Sequence, residues 1–218
     1  MIMEDKSPQT QRFIRKIIVP ALIGGVVGFA AASGVLTIMD SKAIGTFDES
    51  AVIAALVGAV YLVIGAGVWL GALRPKVGAH FLNVEDADEL REQKKVLTLS
   101  GAATVLWGVS LITLALAAPA GAIPQAVALA IGVGGLVLGS WLSIGVYRAC
   151  DELMRAINLE ASALGLGLVM MTIGGWAVLA HLGFAIAPKP LDLLSLFYVL
   201  VLVASFIVIG RRGMIAPR

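Results

Sequence analysis

Apolar and polar positions segregate along this chain on the scale of whole helices. Six apolar runs, over residues 17–38, 51–73, 96–117, 125–147, 161–182 and 193–210, contain no Asp, Glu, Lys or Arg, and the charges and most of the prolines fall between them. A bilayer core of about 30 Å is crossed by about 20 helical residues at ~1.5 Å each, so every run is long enough to span with little or no bilayer thinning. The runs lack the in/out alternation of barrel strands, which leaves helices as the spanning structure. The expected fold class is all-α: a polytopic membrane bundle of six transmembrane helices. It comprises an N-terminal segment 1–16, a transmembrane domain 17–210 and a tail 211–218.

The basic residues set the orientation. With six spans, fourteen of the 16 Lys and Arg fall on the side of the N-terminus, and only Lys42 and Lys189 fall on the other. Cytoplasmic loops hold the excess of Lys and Arg, so both termini are predicted inside, in a bacterial cytoplasmic membrane. The first run exceeds the roughly 7–15 apolar residues of a secretory signal and is read as a retained span. The external loops 40–50, 119–124 and 187–190 are too short to form a domain. The cytoplasmic connections 74–95 and 148–160 are charged, free of Gly and Pro from Glu85 and from Arg148 onward, and predicted to extend the helices they join.

Composition agrees with this reading. Hydrophobic residues make up 59% of the chain and charged residues 14%, against about 25% charged in a soluble domain. A net charge of +2 gives no reason to expect nucleic acid as a partner; the bilayer, a second copy or another protein are the partners expected. The single Cys150 cannot form an internal disulfide and is read as an inert thiol.

Two Asp-Glu-Leu segments recur on the inner side. Asp88-Glu89-Leu90-Arg91 precedes the third span, and Asp151-Glu152-Leu153-Met154-Arg155 precedes the fifth, which makes a parallel repeat of helix pairs. The second continues through Asn158, Glu160 and Ala161. In doing so it resembles the pattern Asp-Glu-x-x-Arg-x-Ile-x-x-Glu-Ala that joins two membrane helices in a family of small bacterial membrane proteins. The resemblance spans roughly residues 125–213, including Pro188, Pro190 and the pair Arg211, Arg212. Met154 and Ala156 depart from the family's usual Gln and basic residue. The family carries no assigned activity, so the resemblance implies a lineage and no mechanism.

The candidate functional face is therefore Asp88, Glu89, Arg91, Asp151, Glu152, Arg155 and Glu160. Carboxylates from both connections would suit a hard cation if they converged. At three- and four-residue spacing, ion pairs Asp88–Arg91 and Asp151–Arg155 are the simpler expectation. Glu160, at the mouth of the fifth span, is expected to clamp to Arg155 or to a neighbouring helix. His181 and His80 stand without companions for a metal site. Trp107 is the candidate cavity residue: it lies mid-span, where its indole N–H needs a hydroxyl on another helix or a ligand. The pairs Gly24/Gly28, Gly67/Gly71 and Gly135/Gly139 have the four-residue spacing that lets helices approach closely.

No nucleotide loop, zinc cluster, catalytic triad or haem motif occurs, so no enzyme activity and no cofactor are expected. The function expected first is a non-enzymatic scaffold, subunit or partner protein acting through its charged connections. The alternative is a transporter or channel for a neutral or lipophilic compound.

Overall fold

The computed structural model describes residues 19–41, 45–74, 78 and 87–214; for Val19, Pro20, Ala21, Ile23, Ala87, Asp88 and Glu89 it describes the backbone alone. The described chain is helical: α1 (Val19–Asp40), α2 (Glu49–Leu73), α3 (Ala87–Glu92), α4 (Lys94–Ala115), α5 (Gln125–Ala149), α6 (Glu152–Val169), a π-helical turn (Met170–Gly174), α7 (Gly175–His181) and α8 (Pro190–Arg211). Among the described residues the only strand-like pairing is an isolated bridge between Ala117 and Ile123.

Local chemistry sets the helix ends. Asp48 caps α2, its Oδ1 accepting the Ala51 N–H at 2.9 Å, and Asp151 caps α6 by accepting from Met154 N–H at 2.7 Å. α8 opens on Pro190, with the Asp192 carboxylate accepting the Lys189 N–H at 2.9 Å. The second connection is thus not one continuous extension. α5 ends at Ala149, Cys150 and Asp151 are extended, and α6 restarts at Glu152, nine residues before the apolar run 161–182 begins.

Five elements are long and apolar enough to cross a membrane: α2, α4, α5, the continuous rod Glu152–His181 formed by α6, the π turn and α7, and α8. α1 adds an apolar stretch over Gly24–Asp40. The outer surface is apolar as well: Phe29 is 76% exposed, Trp141 72% and Met171 80%. Side chains of this kind over whole helices are compatible with lipid as the surrounding solvent and would be an aggregation liability in water.

α2 and α4 form the tightest pair. A methyl group at Gly58 would lie 2.9 Å from Gly108 O, and one at Gly108 would lie 2.7 Å from Gly58 O. One turn-pair along, a methyl at Gly65 would lie 2.7 Å from Val105 N, and one at Gly101 would lie 2.7 Å from Trp69 N. Backbone meets backbone here, and only glycine permits that approach. On the far side of α4, Gly135 of α5 sits against Ser110, and Gly139 sits against the Trp107 indole. The other predicted pairs do not act this way: Gly24, Gly28 and Gly67 have no neighbour within reach of a Cβ.

α8 packs on α2 and α6, and α1 packs on α2. The buried core lies among α1, α2, α4 and α8, around Met39, Ala54, Tyr61, Leu111 and Tyr198. Tyr61 donates its hydroxyl hydrogen to Tyr198 O at 2.7 Å, and Tyr198 donates to Trp107 O at 3.3 Å. The two rings are tilted against each other with centroids 4.8 Å apart. This relay ties α2, α8 and α4 together at mid-depth.

Candidate functional site: a cavity between two helix pairs

The helices do not close against one another everywhere. Between α4 and α5 on one side and α6 and α8 on the other lies a cavity of about 770 Å³, within the ~300–1,000 Å³ range of small-molecule sites. α4 contributes Ser100 through Trp107, α5 Ser143 through Tyr147, α6 Asn158 through Val169, and α8 Phe197 through Ile209. The stretches on α4, α6 and α8 run from near the end that carries Arg155 and Arg211, here termed the basic end, to about mid-depth, while α5 contributes only the last turns before Arg148.

The cavity is open along part of its length, and its lining stops near mid-depth. At its inner end stand Trp107, Phe197 and Val169, backed by the Tyr198–Trp107 hydrogen bond and followed on α6 by the π turn. π turns inside α-helices are frequent at functional sites. Asn158 and Val169, eleven residues apart on α6, bracket a depth of about 16 Å at ~1.5 Å per residue. Most of the lining is apolar. The hydroxyls of Ser100, Thr104, Ser162 and Ser205 are bonded to carbonyls of their own helices, at 3.1, 2.8, 2.7 and 2.9 Å, and so line the wall without an unmet donor. The Trp107 indole N–H has no hydrogen-bond partner among the described residues. The hydroxyl predicted to receive it on another helix is not there; the indole rests on Gly139 and lines the cavity.

The charged candidates gather at the basic end, largely engaged within the chain. Glu160 Oε2 receives both Nε and Nη2 of Arg212 at 2.9 and 2.5 Å, which clamps α6 to the end of α8. Both side chains are 39% exposed, so the pair is a partly solvated fork rather than a buried charge. Asp151 does not pair with Arg155 as its spacing suggests, because its carboxylate caps α6 instead. Arg155 folds back over the Tyr147 ring, 5.3 Å from the centroid, and donates Nη2 to Cys150 O at 3.3 Å, while its buried Nε finds no partner. Burial, the largest cause, pushes the Cys150 thiol above its ordinary range, which fits an inert cysteine. Glu152 is exposed, as is Arg91.

The side chains of Asp88 and Glu89 lie outside the described residues, as does His80, so the expected convergence of the two acidic connections is not described. Among the described residues no three His, Cys, Asp or Glu side chains group to hold a metal. His181 is exposed at the end of α7.

At the other end of the bundle, Lys189 Nζ meets Asp48 Oδ2 at 2.7 Å and joins the start of α8 to the start of α2. That hydrogen bond is the main reason the Asp48 carboxyl is held below its ordinary range.

Sequence reasoning singled out Trp107 and Glu160 but passed over the Tyr61–Tyr198 relay and the lining hydroxyls. The signal for the relay was present: two tyrosines inside apolar runs, away from the interfacial belt, whose hydroxyls must be satisfied internally. The chain matches no family model, no curated protein and no solved structure with which it was compared.

Proposed function

We propose that this protein is a six-span integral membrane protein of the bacterial cytoplasmic membrane, with both termini in the cytoplasm, that binds a neutral or lipophilic compound in the cavity beside Trp107 as the loading step of a carrier. The observation that carries this reading is the cavity itself: about 770 Å³, mostly apolar, with an unpartnered indole N–H at its inner end. A closed-packed bundle would have filled that space, since interiors are normally packed with few voids larger than a water molecule. No carboxylate lines the cavity, which argues against proton- or sodium-coupled transport through it. Its lining stops near mid-depth and does not run from one end of the helices to the other, which argues for a carrier rather than an open pore.

The partner-protein reading stands second. Its support, the charged connection after α5, is mostly used inside the chain: Asp151 as a cap, Glu160 in the clamp and Arg155 against Tyr147 and Cys150. The similarity of 125–213 to small bacterial membrane proteins is proposed as the lineage.

Two measurements test the proposal. Native mass spectrometry of protein released from mild detergent should show a bound non-protein mass, and Ser143→Phe, which pushes a ring into the cavity from α5, should remove it. Reporter fusions after Lys189 and after Arg218 should report the outside and the cytoplasm respectively. The same side for both would refute the topology.

A further inference from the structure

The cavity is graded along its length. Polar side chains, Asn158, Tyr147 and Ser100, line the mouth at the basic end, while Val169, Phe197 and Trp107 line the inner end. Its depth of about 16 Å matches half of a ~30 Å bilayer core. A compound lying along it would therefore have its polar end at one membrane surface and its apolar end at the midplane, as a single lipid chain does.

Arg155 does not itself line the cavity, but it stands one turn before Asn158 on α6 with its guanidinium over the ring of Tyr147, which lines the mouth. Its Nε is buried without a partner, and it has no carboxylate in ion-pair range among the described residues. A buried donor left unpaired costs about 1–3 kcal/mol, and a turn of the side chain towards the mouth would let an anion there relieve that cost. The acidic groups on the same connection do not supply it. Asp151 Oδ1 is occupied by Met154 N–H and Glu160 by Arg212, and Glu152 is exposed. Arg148 and Arg211 close the last turns of α5 and α8 and add positive potential at the same end.

Taking the cavity as a ligand site, we infer that its occupant is a single-chain anionic amphiphile of the fatty-acid type. It enters from the leaflet at the basic end, with its carboxylate on Arg155 and its chain running along α6 to Trp107. The guanidinium suits this head group because it can present two parallel N–H donors to a carboxylate.

The test uses the full chain in lipid nanodiscs, with Trp107 left as the single tryptophan by Trp69→Phe, Trp141→Phe and Trp176→Phe. Three probes quench its fluorescence: a fatty acid brominated near the chain end, the same acid brominated near the carboxylate, and the matching chain-end brominated alcohol. The expected result is saturable quenching by the acid, competed by unbrominated acid and stronger from the chain-end bromine. Arg155→Gln should weaken acid binding about tenfold while leaving the alcohol unchanged, and Arg155→Lys should recover part of the loss. Acid and alcohol binding equally to the parent, equal weakening of both by Arg155→Gln, or stronger quenching from the head-end bromine would overturn the inference and leave cavity binding standing. If no probe quenches saturably, the cavity reading fails, and the inference fails with it.

Discussion

Replacing Gly65 with alanine tests whether α2 and α4 are held backbone to backbone. The added methyl would lie 2.7 Å from Val105 N and 2.9 Å from Gly101 O, and both neighbours are backbone atoms that cannot rotate away. The helices would have to separate, and overpacking of this kind costs about 1–3 kcal/mol. Alanine also favours the helix by about 0.5–1 kcal/mol over glycine, which would mask part of the cost if Gly65→Ala were measured alone. Gly67→Ala is the matched control: it lies in the same helix, gains the same preference and has nothing within 4 Å of the new methyl. The difference between the two variants isolates the clash. At ~2 kcal/mol and ~2–4 °C per kcal/mol for a chain of this size, Gly65→Ala should melt about 4–8 °C below Gly67→Ala in detergent. Equal melting temperatures would refute the close approach of α2 and α4.

Tyr61→Phe removes the 2.7 Å bond to Tyr198 O and should cost about 0.6–1.7 kcal/mol, the range measured for hydrogen bonds between membrane helices. Tyr198→Phe, which loses only the 3.3 Å bond to Trp107 O, should cost less, as a pair of denaturant-unfolding curves would show. The Asp48–Lys189 link should be pH-sensitive at both extremes. The Asp48 carboxyl is depressed, so its contribution is present above the ordinary value of 3.8 and lost as pH falls through the lower folded value. Lys189 is raised by the same hydrogen bond, so its contribution is present below 10.5 and lost as pH climbs through the higher folded value. The melting difference between the parent and Lys189→Gln should hold across neutral pH, and shrink as pH falls below 3.8 and as it rises above 10.5.

Helix identity was legible in the sequence because charge-free runs of this length allow few alternatives: helices occupy most of the described part of each run, and five of them are long and apolar enough to cross a membrane. Helix ends were less legible. The connection 148–160 was expected to be helical, and α6 does start at Glu152; what was missed is the break at Cys150 and Asp151, where Asp151 followed by a stretch free of Gly and Pro is itself a capped helix start. The same carboxylate was expected to pair with Arg155; a backbone N–H within reach at 2.7 Å took it first.

Glycine spacing misled in a similar way. Pairs four residues apart were the expected contacts, and only Gly135/Gly139 makes them at both positions. The tightest interface uses a seven-residue spacing, Gly58 and Gly65 against Gly108 and Gly101. Seven residues are two turns of a slightly underwound helix, so the same face recurs. With 25 glycines in the chain, no spacing alone marks which pairs are used. The cavity was legible only as a question about the Trp107 N–H, because a void arises from where four helices fail to meet, which no single segment encodes.

The most direct test of the account is fluorescence of the single-Trp107 protein titrated with a chain-end brominated fatty alcohol, compared with the same protein carrying Ser143→Phe or Ser205→Phe. These substitutions fill the cavity from opposite walls and leave the lipid-facing surface as it is. Saturable, competable quenching in the parent, reduced in both filled variants to the linear response of probe dissolved in the bilayer, is the predicted result. Quenching curves that coincide in all three proteins would contradict a ligand site beside Trp107.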